Sequence, residues 1–315
     1  MQLRSIIRNF AVIGAGVALM VSSTGVWAEF PDRPVDLIVN YGPGGGADQF
    51  GRAMAPILSK HLGVKVQVTN VTGAAGNNGI HRAATAKADG YTIGTITGLS
   101  VSSWLKGHGK LRAKDMTILT IGQVTDSMLF VPMNSPYKNM KDLLAAVKAN
   151  PGKIKVAVSG LGGADAVTMT YMADKGYEFR QVPYEKPAER YAAPLGGHVD
   201  VLYEEPGDVA QFVDNKQIRP VVVFSNEPNP YQPEIPKITD FGFNVYFQNF
   251  RGIITGKDVP PDRIKVLNEA LNKTFGSDEF KTFCAKKSSC TKARTSQESL
   301  DFLNFYFENL KKQVK

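Results

Sequence analysis

At 315 residues, with 43% apolar and 21% charged side chains, 30 glycines and 18 prolines, the chain is neither disordered, nor collagen-like, nor a multi-span membrane protein. It is long enough to bury a large core and to form two α/β lobes. The formal net charge of +8 comes without any lysine or arginine block interleaved with aromatics, so a basic, solvated surface is expected and a nucleic-acid partner is not.

Residues 1–28 read as a secretory signal peptide. Arg4 and Arg8 give the basic start, Phe10 to Val21 is an apolar and glycine run, and a small-residue stretch ends at Val26-Trp27-Ala28, with cleavage expected after Ala28. The apolar run is too short to span a bilayer comfortably. Ile13-Gly14-Ala15-Gly16 has the opening of a dinucleotide fingerprint, but Leu19 holds the third glycine position and no βαβ unit follows. Export implies a periplasmic protein.

Val35 to Asn40 reads as a strand. Phe50, Met54, Ile57, Leu58, His61 and Leu62 then fall at helical spacing, which places His61 on the packed face, and Pro56 is expected to kink or split that helix. Val64 to Thr69 is a second strand, Ile80 to Lys87 a short helix and Thr92 to Ile96 a third strand. The plan repeats with strand Met128 to Val131, helix Lys141 to Ala149, strand Ile154 to Val158, a helix from about Ala166, and strands Val199 to Tyr203 and Arg219 to Phe224. A loop with Pro228, Pro230, Pro233 and Pro236 follows. After it come a helix with Pro261 in its first turn and a terminal helix carrying Leu300, Leu303, Phe307 and Leu310. The alternation is that of an α/β fold with mixed, mostly parallel sheets flanked by helices.

One motif occurs twice. A strand leads through Gly42-Pro43-Gly44-Gly45-Gly46-Ala47-Asp48 into a helix, and a later strand leads through Gly160-Leu161-Gly162-Gly163-Ala164-Asp165 into another. Such loops let backbone N–H groups converge at a helix N-terminus, which favours an anion, and Gly73-Ala74-Ala75-Gly76-Asn77 supplies a third wall. A P-loop is excluded because Ala47-Asp48, not lysine and a hydroxyl residue, follows Gly46. A dinucleotide site lacks the ribose carboxylate after the second strand. Asp48 and Asp165 are expected to cap their helices. Four histidines, no HExxH and no GxSxG leave no catalytic constellation, so no catalytic residue, metal or cofactor is assigned. Ser100 and Ser159 can donate hydrogen bonds to a ligand. Cys284 and Cys290 are spaced too closely for a zinc site and are expected to pair as a disulfide in an oxidising compartment, a local staple contributing about 2 kcal/mol.

These residues resemble the periplasmic solute-binding receptors of tripartite tricarboxylate transporters, the Bug or TctC family. The likeness runs through Tyr41 to Asp48 with Arg52, Asn70 to Gly76, Ala88 to Thr92, Asn150 to Lys153, Val182 to Tyr184, Leu195 to Asp200 and Arg251 to Ile253. It implies a two-lobed, type II-like periplasmic-binding fold with two hinge crossings. Lobe one would be 29–124 plus 224–315, and lobe two 125–223. By the same resemblance Gly44, Gly45, Gly46, Ala47, Gly73, Ala74, Ala75 and Asn77 hold a ligand carboxylate, with Tyr41, Asp48 and Ser100 alongside. Ser159, Gly160, Leu161, Gly162, Tyr184 and Glu204 face it from lobe two. The implied protein is a monomeric, non-enzymatic receptor for a small organic carboxylate that serves large and small membrane subunits. An exported α/β enzyme and a soluble sensor for a signalling partner stand as alternatives. Ala166 replaces a histidine common in relatives, and Glu185-Lys186-Pro187 replaces a small, flexible pair. Glu205 before Pro206 is expected to start a helix, and Arg251 to form a surface or inter-lobe salt bridge, with neutralisation of a second ligand carboxylate as the alternative.

Overall fold

A computed structural model describes residues 30–160, 163–246, 248–287, 289 and 294–313. The signal peptide, Leu161, Gly162 and Cys290 lie outside the described residues, and with Cys290 so does the expected disulfide. Cys284 is buried.

The strands in chain order are β1 (Val35–Val39), β2 (Val66–Asn70), β3 (Thr92–Thr97), β4 (Met116–Thr125) and β5 (Met128–Pro132). They continue with β6 (Lys155–Val158), β7 (Arg180–Pro183), β8 (Val201–Glu204), β9 (Ile218–Val223) and β10 (Asn249–Gly256). They form two five-stranded sheets of order β2-β1-β3-β10-β4 and β7-β6-β8-β5-β9. The sheets are mixed as expected, but parallel and antiparallel pairings are equal in number. In the first, β1 pairs in parallel with β2 and β3 while β10 runs antiparallel to β3 and β4. In the second, β6 pairs in parallel with β7 and β8 while β5 runs antiparallel to β8 and β9. The chain passes from β4 to β5 at residues 126–127 and returns after β9. There Phe224 N donates to Ser127 O at 2.9 Å, so the two crossings are hydrogen-bonded neighbours.

Helix α1 (Gly46–Leu62) lays Phe50, Met54, Ile57 and Leu58 on the first sheet and ends at Gly63, whose φ of +72° closes the last turn. It runs through Pro56 without a break. Pro56 is exposed, so water can take up the carbonyl freed by the missing N–H, while burial of Met54 and Ile57 on either side holds the helix together. His61 is exposed, not packed; the buried residue at that end is Leu62. Phe50, Phe275 and Phe280 lie together in the core of this half, the last two with ring centroids 4.9 Å apart. Among the described residues no helix is long and apolar enough to cross a membrane.

Candidate functional site

The carboxyl ends of β1, β2 and β3 in one sheet and of β6 and β8 in the other carry the loops that meet between the two halves, the usual ligand position in open α/β sheets. After β1 the chain reaches Gly44, with φ of +80°, and then Gly45, which caps α1 without any side-chain hydrogen bond. The first amides of α1 therefore remain available to an anion. Asp48 is not the cap. It sits inside the first turn and turns back, accepting from Gly44 N, Arg52 Nε and Asn70 Nδ2, each at 2.9 Å. Burial raises its carboxyl, but Arg52, Gly44 and Asn70 outweigh that and hold it below the ordinary range. The charge is thus neutralised away from the cleft.

The loop after β2 is a left-handed turn. Gly73, Ala74, Ala75 and Gly76 have φ of +107°, +49°, +53° and +85°, and Gly76 N donates to Gly73 O at 3.0 Å. Two alanines in this region cost about 1–2 kcal/mol each, a strain that persists only where neighbours enforce it. Tyr41 Oη donates to Ala75 O at 3.0 Å and Asn77 Nδ2 donates to Ala74 O at 2.7 Å. Burial pushes the Tyr41 hydroxyl up to about 12, so it stays a donor throughout the neutral range. Asn77 Nδ2 also donates to Ser103 Oγ, and its Oδ1 accepts from Trp104 Nε1. Its side chain braces the turn.

Around these loops lies a cavity of about 500 Å³. Gly42, Pro43 and the Gly73–Gly76 turn form one side, Ser159 and Gly160 face them, and His108, Glu185 and Lys186 stand at its rim. Deeper in, sharing Tyr41 and Ser159 with it, is a recess of about 20 Å³, room for one water. Gly45, Gly46, Ala47, Pro187 and Glu204 line this recess. Of the expected residues, Gly44, Asp48, Asn77, Ser100 and Tyr184 line neither space. Ser100 is fully buried and accepts from Asn40 Nδ2 at 2.8 Å, while Tyr184 packs on the second sheet. Asp165, the expected cap of α5 (Ala164–Asp174), instead accepts from the amides of Ser159 and Ala166; the cap is Gly163.

Sequence reasoning missed the inner wall as a unit. Arg190, on the short helix α6 (Pro187–Ala192), donates through Nε and Nη2 to Glu204 Oε2. Arg251, on β10, donates to Asp208, to Glu205 Oε2 at 3.4 Å and to Gln123 Oε1 at 2.7 Å. All five charged groups are buried. Residues 206–208 form a turn, not the helix expected after Glu205, because Glu205 is drawn inward to Ser127 Oγ and Arg251. Burial, then the neighbouring Glu204 and Asp208, pushes the Glu205 carboxyl well above its ordinary range, and burial raises Asp208 against the pull of Arg251. The carboxylate oxygens of Glu204, Glu205 and Asp208 lie within 4.8 Å of one another, with Arg190 paired to Glu204 and Arg251 paired to Glu205 and Asp208. The spacing Glu-Glu-x-x-Asp was the one local signal. The pairing itself joins residues far apart in the chain.

Backbone contact is closest here. A Cβ on Gly46 would lie 1.9 Å from both Arg251 Nη2 and Asp208 Oδ2, so the start of α1 abuts the ion pair, and Lys287 Nζ donates to Gly207 O at 2.8 Å.

A family model described as the tripartite tricarboxylate transporter family receptor matches residues 50–314. Protein BugT of Bordetella pertussis is 27% identical over 278 residues, covering 86% of this chain and 85% of BugT. A protein of the tcbD-tcbE intergenic region of Pseudomonas sp. strain P51 is 28% identical over 276 residues, 84% of this chain and 82% of that one. The fold matches that of MatC from Rhodopseudomonas palustris with bound malate at a TM-score of 0.82 and 18% identity, covering 91% of this chain and 100% of that one. A structure of an R. palustris protein with adipate matches at 0.83 and 22%, over 90% and 98%. With two mixed sheets meeting at glycine loops and a family match over most of its length, the chain belongs to the receptor family of tripartite tricarboxylate transporters.

Proposed function

We propose that the protein is a periplasmic receptor that closes on a small organic carboxylate and delivers it to the large and small membrane subunits of a tripartite transporter. The observation that carries this reading is the strained Gly73–Gly76 turn beside the uncapped start of α1, both opening on the space between the two sheets. Strain held in place by Tyr41 and Asn77 fixes a backbone surface suited to an anion. The family match and the relatives solved with malate and adipate support the same reading. Lobe one would comprise 29–124 and 224–315, lobe two 125–223, and ligand would shift the open and closed populations. Gly45, Gly46 and Ala47 with Gly73, Ala74 and Ala75 would hold the carboxylate, and Ser159 and Gly160 would close over it. The receptor would act as a monomer, with no chemistry of its own.

The test is thermal unfolding of residues 29–315, freed of carried-over ligand, against mono-, di- and tricarboxylates, amino acids and nucleotides. Ligand at a hundred times its Kd adds about 2.7 kcal/mol, a shift of several degrees. A shift with carboxylates alone is expected. A shift confined to nucleotides, or turnover of any bound compound, refutes the proposal.

A further inference from the structure

Both terminal nitrogens of Arg251 are engaged by protein groups. Nη1 donates to Gln123 Oε1 at 2.7 Å, and Nη2 is shared between Asp208 and Glu205 Oε2. Its third donor, Nε, is buried and finds no acceptor among the described residues. A buried donor in that condition carries its desolvation cost until an acceptor arrives. Arg251 is only 4% exposed, and it lines the recess of about 20 Å³ together with Gly45, Gly46 and Ala47. The unpaired N–H and the uncapped amides at the start of α1 thus border one space.

That space has room for one water-sized group, which is what a single carboxylate oxygen presents when it enters end-on. Asn249, two residues earlier on the same face of β10, also lines the recess, and its Oδ1 lacks a donor. The two ends of its amide are alike in size, so a half-turn that brings Nδ2 to the recess leaves the packing unchanged and adds a donor. The charges nearby do not oppose an anion. Arg190, Arg251 and Lys287 stand against Glu204 and Asp208, while burial pushes the Glu205 carboxyl well up, toward its neutral form, and raises Asp165 as well.

We propose that Arg251 contacts the ligand directly: one oxygen of the ligand carboxylate enters the recess and accepts from Arg251 Nε together with the amides of Gly46 and Ala47. This rests on the receptor reading above and adds a charged side chain to a site otherwise built from backbone. The bond is charge-assisted, and it uses the one guanidinium nitrogen that the ion pairs leave over. Strand β10 belongs to the first sheet, whereas Glu205 and Asp208 follow β8 of the second, so one guanidinium ties the ligand to both halves.

Nuclear magnetic resonance of the isotope-labelled protein, with acetate as the probe and acetamide as its neutral counterpart, tests this. Acetate should move the Arg251 Nε–H resonance downfield and saturably, along with the amides of Gly46 and Ala47, and acetamide should leave all three in place. Two variants separate contact from mere joining of the halves. Arg251→Lys keeps a charge for Asp208 but has no Nε, and Asp208→Asn loosens the same ion pair while Nε stays. Contact predicts that Arg251→Lys weakens acetate binding at least about tenfold more than Asp208→Asn does. If the lysine variant does not fold, the titration of the unaltered protein decides alone. Equal losses in the two variants, or saturable movement of the Gly46 and Ala47 amides with a stationary Nε–H, overturns the inference and leaves the receptor reading standing. Acetate that moves neither the amides nor Nε–H overturns the carboxylate reading itself.

Discussion

Gly46→Ala separates what the start of α1 needs locally from what the closed cleft needs. Gly46 is the first residue of the helix and has no positive φ, so alanine suits its backbone and gains up to about 1 kcal/mol on propensity alone. Its Cβ, however, would lie 1.9 Å from Arg251 Nη2 and from Asp208 Oδ2. Those atoms end flexible side chains, but both side chains are buried and paired with each other. Forcing a methyl among them costs about 1–3 kcal/mol, and parting Arg251 from Asp208 outright about 3–5 kcal/mol. Withdrawal of the second half takes Asp208 away from α1, while Arg251, on β10 of the first half, must swing aside, so the methyl weakens the ion pair that joins the two halves. A net penalty of about 1–2 kcal/mol on the closed form shifts the closed-to-open ratio roughly 5- to 30-fold. Titration should show ligand affinity lowered by that factor. Solution scattering should show a larger radius of gyration at subsaturating ligand, with thermal stability of the apo protein unchanged or raised. Gly44→Ala is the control. Its Cβ would meet nothing within 4 Å, and its penalty comes only from a φ of +80°, so it should cost about 1 kcal/mol of stability without altering closure. Unchanged affinity and scattering in Gly46→Ala would refute the reading that the Arg251–Asp208 pair holds the two halves together.

Stability should depend on pH with a definite sign. The Glu205 and Asp208 carboxyls, raised by burial, keep protons in the folded chain that the unfolded chain releases above about pH 4. Stability must then fall as pH rises through that window and level off once the folded groups ionise, while the lowered Asp48 acts oppositely, losing its contribution as pH drops below about 4. Urea unfolding between about pH 5 and pH 8 should show the decline, shallower in Asp208→Asn; a flat profile would contradict the buried placement of these acids. In the left-handed turn, Tyr41→Phe removes the donor to Ala75 O and should cost about 1–2 kcal/mol. Ala75→Gly relieves a φ of +53° and should be neutral or stabilising by up to about 1 kcal/mol, where a loss beyond that would mean the turn carries no strain.

Much of the first half was legible because its signals are local. The apolar runs of β1, β2 and β3 and the glycine turns behind them identify strands and loops without reference to anything distant. Strand β10 escaped because Asn249-Phe250-Arg251 opens it with polar residues, although all eight of its positions are buried. The partners that make this burial possible, Gln123, Glu205 and Asp208, lie far away in sequence. Edge strand β7 buries none of its four residues and carries no apolar alternation to find. At the site the same division holds. The glycine-loop backbone could be read from glycine spacing, but the side chains that brace it could not, since Tyr41 reaches across 34 residues and Ser100 serves Asn40 from 60 away. The family resemblance carried over Asn77 and Asp48 as ligand contacts, whereas the structure engages both side chains in bracing the loops.

The hydrogen bond from Phe224 N to Ser127 O marks the neck of a detour. All five strands of the second sheet come from between those two residues, so the chain leaves the first sheet and rejoins it at one spot. Pairing of β10 with β4 is then indifferent to how long or how varied the excursion is, because its ends are tied together at the neck. The half that contributes Arg190, Glu204, Glu205 and Asp208 can thus diverge, lengthen or be exchanged as a single cassette without shifting the register of the half that presents the glycine loops.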